Sequence, residues 1–225
     1  MVFVASVVTD LLHNLAVGSG SISDIITNIS ENVTLLRISN LIGLAIQSTG
    51  IVALAVLLYV VLNEQNRIAA LVAMGWWIGE AMALAASKIG TIALIPVSLE
   101  FVQAGSPQAS HYQTLGTFLY LGIDKTACDI HGLFFCLGGL VWYYLFFKSR
   151  YIPRVFSMWG IITLCPILIY GLMTLYDREA GGATPLMIVG AAYLVFEALI
   201  GPWLMIKGIR NYSPAATTRV IQAEI

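Results

Sequence analysis

Residues 68–95 read IAALVAMGWWIGEAMALAASKIGTIALI, and only two charged residues, Glu80 and Lys88, interrupt this apolar run. An α-helix needs about 20 apolar residues to cross the hydrocarbon of a bilayer, so the run is long enough to do so. An ionisable side chain inside the bilayer is costly unless it faces a partner or a water-filled cavity. The run therefore predicts a transmembrane helix with one polar face turned toward the protein interior.

The rest of the chain has the same character. Of its 225 residues, 59% are hydrophobic and 10% are charged, whereas a soluble domain has about 25% charged residues. The mean hydropathy is +0.86. We therefore expect the lipid bilayer to be the principal partner. The net charge of −1 argues against a nucleic-acid partner, and because no Gly-rich nucleotide motif is present we expect no cofactor.

Six apolar runs predict an all-α integral membrane bundle of six transmembrane helices, at about residues 1–17, 39–62, 68–95, 122–147, 155–176 and 185–207. We expect a single domain over residues 1–210 and a polar cytoplasmic tail over residues 211–225. A cleaved signal peptide has Lys or Arg before its apolar core. The first run has neither before it, so we interpret it as a short first helix. Residues 18–37 are predicted as a polar linker. Pro96 is expected to end or bend span three, and residues 96–114 to form a long loop along the outer membrane surface.

The orientation follows from the basic residues, because short cytoplasmic loops are enriched in Lys and Arg. They cluster after spans two, four and six, at Arg67, Lys148, Arg150, Arg154, Lys207, Arg210 and Arg219. This pattern predicts a cell-membrane protein with both termini in the cytoplasm. Aromatic residues predict an interfacial belt near the same face, at Trp142, Tyr143, Tyr144, Trp159 and Trp203.

The ionisable residues inside the spans are the candidate site. With a rise of about 1.5 Å per residue, most of them fall in the outer half of the bilayer. We therefore predict a polar pocket that opens toward the outer leaflet and holds a ligand or proton, built from Asp10, His13, Glu80, Lys88, Asp124, Asp129, His131 and Glu197. The alternative for Glu80 and Glu197 is a pair of neutral carboxyl groups, each hydrogen-bonded to a neighbouring helix.

Helical spacing sorts these residues further. Asp124, Cys128 and His131 share one face of span four, and Glu80 shares a face of span three with Ser87. Lys88 is a natural counter-ion for Asp124, Asp129 or Asp10, or else it extends to the outer headgroups. Small residues at four-residue spacing predict close helix packing along span three, at Gly75, Gly79 and Ala83.

A zinc site is a weaker hypothesis. His13, Asp129 and His131 offer the imidazole and carboxylate ligands that zinc accepts, but Asp129 and His131 lie two residues apart on a helix and would point in different directions. We therefore favour a metal-free pocket.

The loop after span four carries a resemblance to a known family. Residues 148–154 read KSRYIPR, and Trp159 and Gly160 follow at the start of the next apolar run. The chain resembles the prokaryotic membrane family called domain of unknown function 4386 in this motif, in the spacing of spans two to six and in the acidic residue Glu80 of span three. The resemblance covers roughly Arg37 to Arg210 and implies the membrane fold, with no assigned activity.

Three classes of function remain open. A binding or transport protein for a small polar or amphipathic ligand would use Glu80, Asp129, His131 and Glu197 as ligand or proton contacts. A membrane enzyme acting on a lipid or isoprenoid substrate would use Asp129 or His131 as its acid or base. In a structural or signalling subunit the same charges would only pair between helices.

Overall fold

The computed structural model describes residues 1–107, 111–178 and 183–209, with the backbone alone for residues 183–189. In this part of the chain every regular element is helical and there is no strand. The helices are α1 (Val2–Val17), α2 (Ile22–Glu31), α3 (Val33–Leu62), α4 (Arg67–Gln103), α5 (His111–Ser149), α6 (Arg154–Tyr176) and α7 (Ala183–Lys207). The predicted tail, residues 211–225, lies outside the described residues, as do Arg210 and Arg219.

Five of these helices, α3 to α7, are long and apolar enough to cross a membrane. Helices α1 and α2 reach the same threshold only as a pair, and they bend by 109° at the break between them. The all-α fold is therefore confirmed, and by length and composition it offers five candidate membrane spans, or six if the bent pair counts as one.

Helix α2 replaces much of the predicted linker at residues 18–37. Its start is fixed by a capping box, in which Ser21 and Asp24 exchange hydrogen bonds between side chain and backbone. Ile25, Ile26 and Ile29 are buried on one face, and this face packs toward α4. The prediction was wrong because it followed the polar composition of the segment and overlooked its helical period of isoleucines.

Helix α4 continues through Pro96 to Gln103, so most of the predicted loop at residues 96–114 is also helical. Between α4 and the start of α5 at His111, only residues 104–107 are described as non-helical. A proline is tolerated inside a membrane helix where neighbouring groups satisfy the backbone around it. With 37 residues, α4 is about 55 Å long.

Helix α4 is the centre of the fold. It packs along α5 on one side and along α3 on the other, while α6 packs on α5 and α7 on α6. Helix α1 runs antiparallel to α3, because Ser6 hydrogen-bonds Gln47 and Thr9 accepts from Ser39. Trp142, predicted for the interfacial belt, is 1% exposed and belongs to the apolar core with Leu145 and Phe146.

The glycines of α4 act in part as predicted. An added Cβ at Gly79 would lie 3.0 Å from the Phe134 ring, and one at Gly90 would lie 3.0 Å from the Asp124 backbone nitrogen. These two positions bring α4 and α5 close together. At Gly75 an added Cβ would meet nothing within 4 Å, so the predicted packing role of Gly75 is wrong.

Candidate functional site

Two polar clusters lie between the helices; Lys88, Asp124 and Glu80 are buried in them, whereas Asp10 is exposed and the His131 side chain is 24% exposed. The lysine cluster surrounds Lys88 and contains Thr9, Asp10, His13, Asn40, Ser87, Asp124, Lys125 and Cys128. The glutamate cluster lies about two helical turns along α4 from it and contains Glu80, His131, Tyr143, Tyr193 and Glu197. Of the eight predicted pocket residues, the structure places seven in these clusters; Asp129 lies apart from both.

Lys88 points into the bundle and not toward the headgroups. The residue is 3% exposed, and its side chain packs against Gly43 of α3. A Cβ added to Gly43 would lie 2.9 Å from the lysine Cε. Among the described residues, no carboxylate oxygen lies within 4.0 Å of the ammonium group. Asp10 and Asp124 interact with this group electrostatically over longer distances.

Asp124 anchors the α5 side of the lysine cluster. Ser87 donates a hydrogen bond of 2.5 Å to Asp124 Oδ1, and the same hydroxyl lies 3.3 Å from the Cys128 sulfur. His13 Nε2 lies 3.7 Å from Asp124 Oδ2, an oxygen that accepts no hydrogen bond from the described residues. Asp124 and Cys128, which were predicted to share a face of span four with His131, thus both contact the Ser87 hydroxyl of α4.

The opposite wall of the cluster comes from α1 and α3. Thr91 donates a 2.8 Å hydrogen bond to Asn40 Oδ1, and Ser39 donates one of 2.9 Å to the Thr9 carbonyl. Within the described residues, three further buried atoms on this wall have no hydrogen-bond partner: Thr9 Oγ1, His13 Nδ1 and Asn40 Nδ2. The cluster is therefore rich in polar atoms that the protein itself leaves unsatisfied.

Both π-helical segments of the fold border this cluster. Residues Gly43–Ser48 interrupt α3 and residues Phe118–Lys125 interrupt α5, and each segment packs against α4. Their widened turns are supported by hydroxyls that reach five residues back, from Ser48 to the Gly43 carbonyl and from Thr126 to the Leu121 carbonyl. Such interruptions of membrane and soluble helices are frequent at functional sites.

Apolar side chains cover the outside of the bundle at this level. Leu11, Leu41, Ile89 and Leu121 are between 41% and 67% exposed, and each lies one to three residues from a member of the lysine cluster. An exposed leucine or isoleucine on every surrounding helix is what a lipid-facing surface requires. Apolar side chains thus border the polar cluster on each of these helices, with Asp10 exposed beside Leu11.

The glutamate cluster joins α4, α5 and α7. His131 Nδ1 lies 3.8 Å from Glu80 Oε1, and Glu197 interacts electrostatically with Glu80. Tyr193 lies one turn before Glu197 on α7, and its hydroxyl lies 3.2 Å from the hydroxyl of Tyr143. Glu80 is 3% exposed, and its Oε2 has no hydrogen-bond partner among the described residues.

Asp129 has a different partner from those predicted. Its Oδ2 lies 2.8 Å from the guanidinium of Arg178, which follows α6. Both side chains are partly exposed, Arg178 by 40% and Asp129 by 22%, so the pair lies at the rim of the bundle. The sequence predicted Asp129 as a pocket residue, and Arg178 was not among its expected partners.

A comparison with protein-family models identifies the family of this chain. The family model described as domain of unknown function (DUF4386) matches residues 1–208. The protein belongs to this family. No curated protein and no solved structure matches the chain. Membership of DUF4386 carries no activity, so function in this member has to be argued from its two clusters.

In this DUF4386 protein the three weaker zinc candidates lie in different places. His13 faces Asp124, His131 faces Glu80, and Asp129 pairs with Arg178. Within the described ranges, no group of three or more His, Cys, Asp or Glu side chains is arranged to hold a metal ion. The three do not form one site because each is turned toward a different helix or loop.

Several polar members of the clusters were missed from the sequence. Thr9 and Asn40 are uncharged, so the pattern of charges within apolar runs does not mark them. Tyr143 was assigned to the interfacial belt, although its hydroxyl meets Tyr193. A usable signal existed for Tyr193, because it precedes Glu197 by four residues and so shares its helix face.

Proposed function

We propose that this protein spans the membrane six times, with both termini in the cytoplasm, and binds or transports a small polar ligand at the lysine cluster. The ligand class is a small molecule with a carboxylate or a similar anionic group. The observation that carries this proposal is Lys88, a buried lysine without an acceptor in the described part of the chain.

A buried ammonium group without a close acceptor is unfavourable, because burial removes its hydration, and Asp10 and Asp124 act on Lys88 only from beyond 4.0 Å. The unsatisfied atoms near Lys88 add to this cost, at about 1–3 kcal/mol for each buried polar group. Two of them, Thr9 Oγ1 and Asn40 Nδ2, are donors. An acceptor-rich ligand would satisfy these donors and the lysine together.

The proposed orientation rests on the distribution of basic residues. Arg67 and Lys207 lie at the ends of α4 and α7, and Lys148, Arg150 and Arg154 lie around the connection from α5 to α6. Placing these residues in the cytoplasm puts the lysine cluster in the outer half of the bundle. We propose on the same basis that the ligand reaches the cluster from the outer leaflet.

The test measures thermal stability of the purified protein in detergent, with acetate, succinate or alanine as the probe at constant ionic strength. A ligand that binds only the folded state raises the melting temperature in a concentration-dependent way. We expect at least one of the three probes to do so in the unmodified protein and in Lys148→Met, whose lysine is exposed. The same probe should have no effect on Lys88→Met.

A second variant covers the case in which Lys88→Met does not fold. Thr9→Val keeps the shape of the side chain and removes only its hydroxyl, so we expect a folded protein that needs more of the same probe for the same rise. If no probe stabilises the unmodified protein, or if Lys88→Met responds as the unmodified protein does, the binding proposal is wrong. Lysine then serves a structural role.

A further inference from the structure

We propose that α2 is a gate over the lysine cluster, which opens to admit the ligand and closes behind it. This proposal rests on the function proposed above, because it names the access route to that site and its control. Two features of the structure support it: an apolar layer between α2 and the lysine cluster, and glycine-containing turns that let α2 move.

The apolar layer lies beside the lysine cluster, on the side toward α2. On each of the four helices that build the cluster, one buried apolar residue lies three to six positions from a cluster residue, which is less than two helical turns. The pairs are His13 and Ala16, Asn40 and Leu36, Lys88 and Leu94, and Asp124 and Leu119. The four apolar residues pack in one hydrophobic cluster. Such a layer opposes the passage of a polar ligand, because the ligand would lose its hydration there.

Helix α2 completes this layer. Its Ile25 and Ile29 belong to the same hydrophobic cluster, and Ile26 packs against Gly116 near the start of α5. The other face of α2 carries the exposed Asp24. With 10 residues α2 is about 15 Å long, and its 109° turn against α1 lays it across the bundle. Its apolar face therefore covers the layer and its polar face is turned away from it.

The connections at both ends of α2 suit a hinge. Gly18 and Gly20 join it to α1 with φ angles of 67° and 131°, which residues with a Cβ rarely adopt. At the other end, Asn32 alone separates α2 from α3. A few residues at the ends of an element are enough to absorb the backbone rotation of a moving segment. Rotation at these positions would move α2 and leave α1 and α3 in place.

Two side-chain hydrogen bonds hold α2 in the closed position. Asn28 Nδ2 donates to the Val17 carbonyl at 3.2 Å, and Gln113 Nε2 of α5 donates to Ser23 Oγ. Both bonds are only partly buried, so water can replace them when α2 moves and their net contribution is small. The contacts of the isoleucines with the apolar layer therefore decide how often the gate opens.

The experiment follows a thiol placed inside the lysine cluster, in the full-length chain held in lipid nanodiscs. Thr9 is 0% exposed, and Thr9→Cys changes the size of its side chain little. A charged methanethiosulfonate reagent modifies this thiol only when water reaches it. Peptide mass spectrometry measures the rate of modification at position 9 separately from the native cysteines.

A disulfide between α2 and α5 locks the gate in this chain. A Cβ added to Gly116 would lie 3.1 Å from Ile26 Cγ1, which is one bond from Ile26 Cβ, so Ile26→Cys and Gly116→Cys are close enough to be joined. With this bond oxidised, we expect modification at position 9 to be slower by about tenfold or more, because the minor open state is no longer reached. The same chain with the bond reduced is the matched control.

A second variant opens the gate. Ile29→Ser removes a fully buried side chain from the apolar layer and should speed modification at position 9 by about tenfold or more. Ile38→Ser makes the same change on α3 at an isoleucine that is 42% exposed, and should leave the rate unchanged. Equal rates with the disulfide oxidised and reduced, or equal rates in Ile29→Ser and Ile38→Ser, overturn the gate.

Native Cys128 keeps the test decisive if Thr9→Cys does not fold. Its sulfur lies 3.3 Å from Ser87 Oγ in the same cluster, and its modification is judged by the same two comparisons. Neither thiol needs a bound ligand in order to react. Rates that respond to the disulfide while acetate, succinate and alanine all fail to stabilise the protein support the gate and contradict ligand binding. Stabilisation by a probe with rates that ignore the disulfide contradicts the gate alone.

Discussion

At the scale of single residues, this protein buries ionisable side chains with few direct ion pairs. Asp124 and Glu80 each meet a histidine at 3.7–3.8 Å, and Lys88 meets no carboxylate within 4.0 Å in the described structure. Asp129 and Arg178 form the close pair, at 2.8 Å, and that pair is partly exposed. The most buried charges are thus the least directly paired, which is the reverse of what stability alone would favour.

Ser87 is the polar contact on which Asp124 depends most. Replacing it by alanine should leave Asp124 Oδ1 buried without its hydrogen bond and lower the free energy of unfolding by about 1–3 kcal/mol. Unfolding by heat or denaturant in detergent measures the change. Thr117→Ala removes an exposed hydroxyl that bonds only the Gln113 carbonyl, and should change stability by less than about 0.5 kcal/mol. Equal losses in the free energy of unfolding for the two variants would contradict this role of Ser87 in holding Asp124.

At the scale of helices, the two π-helical segments set the geometry of the lysine cluster. The segment in α3 places Gly43 beside Lys88, and the segment in α5 carries Asp124 and Lys125 toward α4. A Cβ at this position would lie 2.9 Å from the lysine Cε, so the lysine side chain would have to move. A regular α-helix through either segment would rotate the residues that follow it by part of a turn.

Gly43→Ala tests this arrangement against a matched control. The new Cβ would lie 2.9 Å from Lys88 Cε and 3.3 Å from Thr9 Cγ2, so we expect a loss of about 1–3 kcal/mol in the free energy of unfolding. Gly75→Ala adds the same atom where nothing lies within 4 Å. It should be neutral or stabilise the helix by about 0.5–1 kcal/mol. If Gly43→Ala is as stable as Gly75→Ala, Lys88 does not occupy the position described.

At the scale of the whole molecule, the lysine cluster lies toward one end of the bundle and the basic residues toward the other. Arg67, Lys148 and Arg154 lie near the ends of α4, α5 and α6 where these helices meet their short connections. Ser106 lies in the connection at the opposite end of α4. The proposed orientation assigns these two ends to opposite sides of the membrane.

Cysteine labelling with a membrane-impermeant reagent on intact cells tests that orientation. A cysteine at Ser106 should be modified from outside, while one at Ser149 should react only after the membrane is opened, because it lies beside the basic residues that remain in the cytoplasm. A cysteine at Gly181, which lies outside the described residues, is expected to behave as the one at Ser106. The unmodified chain, with Cys128, Cys136 and Cys165, supplies the background signal. The reverse labelling pattern would contradict the orientation and the outward-facing pocket.

The sequence by itself determined the fold class and the family. Hydropathy is a property of short stretches, so the apolar runs predicted α3 to α7 as membrane helices without knowledge of their neighbours. The same reasoning predicted that ionisable residues within spans turn inward, because such a group is too costly to face lipid. His13, Glu80, Lys88 and Asp124 are buried, whereas Asp10 is exposed and Asp129 is partly exposed. The prediction from hydropathy was wrong at two places. It missed α2, whose apolar face shows only in the helical period of its isoleucines. It also ended span three at Pro96, where the surroundings of the helix permit the proline.

Only the tertiary structure decided which of these groups meet. His13 and Asp124, Lys88 and Gly43, and Asp129 and Arg178 come from segments far apart in the chain. Their contacts depend on how far each helix is shifted and turned against the next, and one residue of shift turns a side chain by about 100°. No local pattern encodes that quantity. It is set by packing, at positions such as Gly79 and Gly90, where α4 and α5 approach most closely.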